Sequence, residues 1–450
     1  MNIDDLTVRL DGVPVGVNPS REVTGFATDS REVKPGYAFL AIRGANVDGH
    51  EFVEAAYRAG AAVSVVERAV DSPHILVEDL VQALAHLGRA YRSHFHGPVV
   101  GVTGSNGKST TKELVAAALA PLGPVLKSQG NKNTEYTSPL VWTNLTTQHK
   151  AVVIEMGMRG FGQIDHLASI AQPTVGLVTM IGTAHVEMVG SRAGIAKAKA
   201  EMLDHLAGSQ VSVLPRDDDF YADLARSAPG PVRTFGTTPD AECRVLGYRA
   251  DGLVGCVVRG TLDGQEWEVE LPLLGRHQAT NAAAAILAAH SAGVAVLDAA
   301  DALQHVEQMP MRMEVVERAG VRILVDTYNA SPDSTVAALR ALCDTAVEGR
   351  RLAVLGEMKE LGTYTESGHR QVGAALATLP YDRVLLTGGP TKFIAEEAIN
   401  VGFAPDKIES DDALDMGHVR QFLASARPGD VVLLKGSRAL GLEQGLEGQP

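Results

Sequence analysis

The stretch 98–119, PVVGVTGSNGKSTTKELVAAAL, decides the fold. Val99-Val100-Gly101-Val102 is a short apolar run of the kind that forms a buried strand. A loop of small residues follows, Thr103-Gly104-Ser105-Asn106-Gly107, and then Lys108, Ser109, Thr110 and Thr111 lead into the good helix formers Glu113 to Leu119. Strand, glycine loop, Lys-Ser and helix together describe a phosphate cradle. Glycines let backbone N–H groups converge on phosphate oxygens, and the helix N-terminus adds partial positive charge. Lys108 would reach the terminal phosphates, and the Ser109 hydroxyl would sit on Mg²⁺.

The general pattern places Gly five residues before Gly107, where this chain has Val102. That departure either weakens the match or marks a ligase-type variant, Thr-Gly-x-x-Gly-Lys-Ser. A plain glycine-rich turn with a solvated lysine is the bland alternative, and the strand and helix on either side argue against it. Ala151-Val152-Val153-Ile154 reads as a second buried strand, ending in Glu155. A carboxylate at the C-terminal end of a parallel strand beside a phosphate loop is well placed for Mg²⁺, although it could instead cap the next helix. Residues 174–179 form another strand, and His185 follows on the edge where ligands gather in open α/β sheets; a lone histidine is as readily structural. Residues 193–206 have helical spacing and carry Lys197, Lys199 and Glu201, where exposed lysines are normally just solvated. The loop Asn131-Lys132-Asn133-Thr134 starts like the guanine-reading signature of GTPases but has Thr134 in place of the aspartate.

Composition sets outer limits. At 450 residues the chain is too long for one core and suggests about three domains. No uncharged apolar run reaches the ~18 residues of a membrane span, and the acidic start MNIDDLTVRL does not resemble a signal peptide, so a cytoplasmic protein is expected. Cys243, Cys256 and Cys343 are too widely spaced for a disulfide framework or a zinc site and read as core residues. A net charge of −14 argues against a nucleic-acid partner.

Around the cradle the chain divides at 96/97 and 309/310. Residues 1–96 read as a small α/β domain, with strands at 37–42 and 62–66 and a helix at 51–59. In it Ser30 and Arg31 offer a hydroxyl and a guanidinium side by side, a pair suited to a diphosphate or simply to a surface turn. Residues 97–309 hold the cradle, a small antiparallel hairpin region at 243–274 and an Ala-rich helix at 282–292. Residues 310–450 alternate strands, at 322–326, 352–355, 384–386 and 431–434, with helical stretches, which implies a parallel sheet covered by helices. Polar residues cluster just after those strands, as in a site built from βα loops.

Taken together, the chain resembles the Mur ligases, ATP-dependent amide-bond enzymes of bacterial cell-wall (peptidoglycan) synthesis. The resemblance rests on TGSNGKST at 103–110, the Asn-rich loop at 131–135, IEMG at 154–157, AHVE at 184–187, KAKAEML at 197–203, GRHQATN at 275–281, Arg312 and DTYNASP at 326–332. It implies an α/β fold of three domains: a small N-terminal one for the UDP substrate, a central P-loop parallel sheet for ATP, and a Rossmann-like C-terminal one. Within the family, GEMKELG at 356–362 with His369, and KGSR at 435–438, point to the member that adds D-alanyl-D-alanine to UDP-N-acetylmuramoyl-tripeptide; the Asp-Asn-Pro-Arg signature of the preceding ligase is absent.

Site roles follow from the resemblance alone. The loop Thr103 to Thr110 would bind ATP, with Lys108 and Ser109 at its phosphates and the first Mg²⁺. Glu155 would bind Mg²⁺, and His185 a second Mg²⁺. Lys199, in preference to Lys197, would be the lysine that the family carbamylates into a metal ligand. Asn281 would meet adenine, with Gln278 standing where the family has an inner asparagine. Arg312 would approach the γ-phosphate, Asp326 the ribose, Ser30 and Arg31 the uridine diphosphate, and Asn133 and Thr134 the muramoyl part. A monomer is expected. A related ligase such as folylpolyglutamate synthase would not need residues 1–96, and a P-loop switch would hydrolyse ATP without an acceptor amine.

Overall fold

The structure is a computed structural model that describes residues 1–44 and 47–447. Three sheets run in sequence along the chain, of five, nine and six strands. The central one positions the site. From one edge its strands are Gln265–Leu271, Gly255–Leu262, Cys243–Asp251, Val232–Gly236, Val211–Pro215, Val175–Val178, Val99–Thr103, Ala151–Glu155 and Val125–Lys127. The six strands from Val232–Gly236 to Val125–Lys127 are parallel to one another.

Val99–Thr103, Ala151–Glu155 and Val175–Val178 are buried along their whole length. Continuous apolar runs of this kind are what a parallel sheet covered on both faces requires. Successive side chains then serve opposite cores. Val100, Val102 and Val153 face the side covered by the helices Lys108–Ala118 and His277–Ser291; Val99, Val152 and Ile154 face Trp142, Ile164 and Leu167. The alanines of His277–Ser291 let that helix lie close on the helix after the cradle, which brings Asn281 beside Gly107.

Val99–Thr103 lies between Val175–Val178 and Ala151–Glu155. The chain leaves it first toward one edge and later toward the other, so the cradle opens at the switch point where open α/β sheets bind ligands. The antiparallel region expected at 243–274 is present as three strands that extend the central sheet: Cys243 pairs in parallel with Phe235, and the next two strands fold back antiparallel. Cys243 and Cys256 are buried there, their thiols both pushed up to about 12 by burial, and Cys343 is half-buried and pushed up to about 11.

The first sheet has Val13–Val15 antiparallel at one edge and then His74–Leu76, Val63–Val66, Tyr37–Leu40 and Gly25–Ala27 in parallel. The helix expected at 51–59 divides into a short turn, Gly49–Phe52, and a helix, Val53–Arg58. Helix Leu80–Arg92 joins this sheet to the central one. Its Arg92 donates to the carbonyls of Phe95, Ala171 and Gln172 and stacks on Trp142, while Arg89 donates to Ser169 Oγ at 2.8 Å.

The last sheet runs Glu314–Arg318, Val321–Asp326, Val431–Lys435, Arg351–Gly356, Arg383–Thr387 and Ile408–Asp411, all parallel but the first. Its first and last strands escaped sequence reading because both are partly exposed and lack a continuous apolar run. Among the described residues, no helix is long and apolar enough to cross a membrane.

Candidate active site

A cavity of about 510 Å³ opens where the central sheet's strand ends meet the last sheet. Ser105 to Thr110 line it on one side, with Asn133, Thr134, Glu155, His185 and Asn281; Arg312, Asp326, Tyr328 and Asn329 come from the other. Most residues singled out in the sequence are thus brought together. Ser30 and Arg31 are not: they sit in the turn Ser30–Glu32, away from the cavity, with Arg31 exposed and ion-paired to Asp29, whose carboxyl that pairing holds down at about 2. Thr103 is buried behind the loop and donates from Oγ1 to the Met156 carbonyl at 2.9 Å.

The loop's shape comes from its glycines. Gly107 has φ +81° and starts the helix Lys108–Ala118, and Gly104 has φ +148°. A Cβ on Gly104 would lie 1.8 Å from Thr179 Oγ1. Lys108 Nζ donates back to the carbonyls of Gly104 and Ser105 at 2.8 and 3.3 Å, and burial lowers its pKa.

Glu155 is the hub. It is 1 % exposed, and its Oε1 accepts from Ser109 Oγ at 3.1 Å and from Asn133 Nδ2 at 2.8 Å. Its Oε2 is buried and accepts no hydrogen bond among the described residues. Arg312 donates from Nη2 to Ser109 Oγ at 2.9 Å, and its guanidinium lies over the Tyr328 ring at 4.1 Å. Ser331 Oγ donates to Asn106 Oδ1 at 3.0 Å, a second contact from the last body onto the phosphate loop.

Lys197, Lys199 and His185 differ in burial and contacts. Lys197 is exposed, whereas Lys199 is 1 % exposed, and no carboxylate pairs with it among the described residues. Burial, with Lys108 nearby, holds its amine well below the usual lysine range. His185 has φ +62° and lies 2.7 Å through Nδ1 from Glu360 Oε2, a residue also in left-handed backbone at φ +63°. That pairing lowers the Glu360 pKa and ties the second body to the third. Gln278 is buried and accepts from Asn281 Nδ2 at 3.0 Å, so it orients Asn281 from within the helix. Asp326 is ion-paired to Lys435 Nζ at 2.7 Å, and that amine also donates to the Asn329 carbonyl. His369 is fully buried, accepts from the Met358 N–H and serves structure.

A buried carboxylate oxygen without a hydrogen-bond partner among the described residues, beside a serine hydroxyl, fits a divalent cation. No cluster of three or more His, Cys, Asp or Glu stands ready for a metal among the described residues, so ligands of other kinds are needed.

The comparisons with known proteins agree along the whole chain. Residues 102–289 match the Mur ligase middle domain, 311–438 the Mur ligase glutamate ligase domain, and 22–92 the Mur ligase family catalytic domain. The UDP-N-acetylmuramoyl-tripeptide--D-alanyl-D-alanine ligase of Bacillus subtilis is 36% identical over 440 residues, 95% of this chain and 94% of that protein. The chain belongs to the Mur ligase family. The namesake ligase of Escherichia coli is 30% identical over 99% of this chain and 97% of its own length. Among solved structures, MurF from Acinetobacter baumannii superposes with a TM-score of 0.87 at 28% identity, covering 99% of this chain and 97% of that one. MurF from Thermotoga maritima, in complex with ADP, gives 0.79 at 32% identity over 95% and 96%. Folylpolyglutamate synthase of Mycobacterium tuberculosis, at 19% identity and 0.62, shares the fold over 82% of this chain and 95% of its own.

The protein is thus a ligase of the Mur family, and its phosphate loop is the element most exposed to test. Gly104→Ala adds a Cβ into Thr179 Oγ1 and strains φ. The variant should bind ADP at least about a hundredfold more weakly than wild type by calorimetry while keeping its far-ultraviolet circular dichroism.

Proposed function

We propose that this ligase joins D-alanyl-D-alanine to UDP-N-acetylmuramoyl-tripeptide, with ATP converted to ADP and phosphate. The observation that carries the reading is the match of the full chain to ligases of that name, over the same three bodies, with the cavity's cations where two anions must meet.

A carboxylate is a poor acyl donor, so ATP first phosphorylates it. The acyl phosphate is then attacked by the dipeptide amine, which forms the amide bond and releases phosphate. Both the carboxylate and the γ-phosphate are negative, and Lys108 and Arg312 supply fixed positive charge between them. Lys108 is held by loop carbonyls in a place from which it can turn to the terminal phosphates. Tyr328 beneath and Ser109 in front hold Arg312 toward the same point. Asn281, oriented by Gln278, is offered to the base, and Asp326, held by Lys435, to the ribose. Asn133 and Thr134 form the wall for the muramoyl part, and Ser30 with Arg31, outside that cavity in a turn of the first body, is offered to the uridine diphosphate.

Glu155, Ser109, His185 and a carbamylated Lys199 would hold two Mg²⁺, which neutralise phosphate charge when bound. The burial of Lys199 and its lowered pKa support this, since addition of an unprotonated amine to CO₂ forms a carbamate and releases one proton. The contacts from Arg312, Ser331 and Glu360 onto the central body support a third domain that closes over the second and keeps water from the acyl phosphate. A monomer is proposed, and the substrates expected are those of the cytoplasm.

Phosphate release from ATP with UDP-N-acetylmuramoyl-tripeptide should require D-alanyl-D-alanine and yield the pentapeptide. Release with no amine, or with a different one, contradicts the assignment. Lys199→Ala should lose at least about a hundredfold in kcat and recover part of it with added short carboxylic acids; a fully active variant removes the carbamate.

A further inference from the structure

Lys112 lies one turn beyond Lys108 on the same helix, and none of its side chain reaches solvent. Burying an ammonium group is costly unless its donors are met. Two of its three are. Nζ lies 2.9 Å from Glu113 Oε1, a carboxylate that Lys127 grips from the other side, and it donates to the Gly130 carbonyl at 3.2 Å. The third direction faces Glu155 Oε2 at 4.0 Å, the carboxylate oxygen that accepts no hydrogen bond among the described residues.

Gly130, at φ +54°, opens the loop whose Asn131, Asn133 and Thr134 line the cavity. The far end of that loop is tied to the same carboxylate: Asn133 Nδ2 donates to Glu155 Oε1, and the Gly157 N–H donates to the Asn133 carbonyl at 3.0 Å. One helix therefore sends Ser109 to one oxygen of Glu155 and turns Lys112 toward the other, while Lys112 also holds the loop's first residue. A lysine buried only to fill space would need neither contact, and a methionine would fill the same volume.

We infer that Lys112 is a positioning residue for the acyl donor: it fixes the 130–134 loop and Glu155 to the phosphate-loop helix, so that carboxylate substrate and nucleotide are presented to each other in one rigid unit. The inference rests on the reaction proposed above for its substrate, but the loop's anchoring can be read without any substrate.

The test uses full-length Lys112→Met and Lys112→Arg. In Lys112→Met the amides of 129–134 should exchange hydrogen at least about tenfold faster, with the remainder of the helix Lys108–Ala118 unchanged. The KM for UDP-N-acetylmuramoyl-tripeptide should rise at least about tenfold while the Kd for ADP stays within about threefold, and Lys112→Arg should recover most of the loss. Unchanged exchange at 129–134, or a KM and an ADP Kd that worsen by one common factor, overturns the inference. Should Lys112→Met not fold, Glu113→Gln, which loosens the lysine's counter-ion, must show the same exchange and KM pattern in milder form, and a wild-type pattern there is equally contrary. A wild-type enzyme that ignores the UDP substrate refutes the assigned reaction, and the exchange measurement then still decides the role of Lys112.

Discussion

The structure depends on a short chain of hydrogen bonds in which Arg312 donates to Ser109, and Ser109 donates to Glu155. It links the last body to the phosphate loop, and the phosphate loop to the central sheet's second strand. Each member comes from a different part of the chain, and each would fail alone: a lone buried carboxylate would take up a proton, and an unpaired guanidinium would turn to water. Held together, they set a cation, a hydroxyl and an anion within one cavity, which is the arrangement that a phosphorylated carboxylate and its nucleotide need.

The cations around this chain of bonds explain how a protein of net charge −14 receives anions. Lys108, Lys112, Lys199, Arg312 and Lys435 stand in or behind one cavity, most of them shielded from solvent. Shielding makes their charges act over short range with little screening, and it also forces each to be partnered or neutral. Lys112 and Lys435 are partnered by Glu113 and Asp326, whereas among the described residues Lys199 has no carboxylate partner and burial lowers its pKa.

Much of this was legible in the sequence, because the strand–loop–helix at 98–119 is local: apolar run, glycines and helix formers each fix their own backbone. Glu155, Asn281 and Arg312 were found through motifs, and the fold brings them to one place. What escaped reading is tertiary. Nothing in the spacing of Lys197 and Lys199 says that only the second is buried. Lys112 sits inside the quoted motif, yet its link to Gly130 joins residues 18 apart through a loop without regular structure. Glu360 stands inside the quoted GEMKELG, yet its contact with His185 joins two bodies of the fold and is announced by nothing local. Ser30 and Arg31, named for their chemistry and from the resemblance, lie outside this cavity, in a turn of the first body.

Phosphorylation of the substrate carboxylate before the amide forms can be read with UDP-N-acetylmuramoyl-tripeptide labelled with ¹⁸O in the reacting carboxylate, by mass spectrometry of the phosphate released on reaction with ATP and D-alanyl-D-alanine. One labelled oxygen per phosphate is expected. Phosphate free of label, with amide product formed, would mean that activation takes another route.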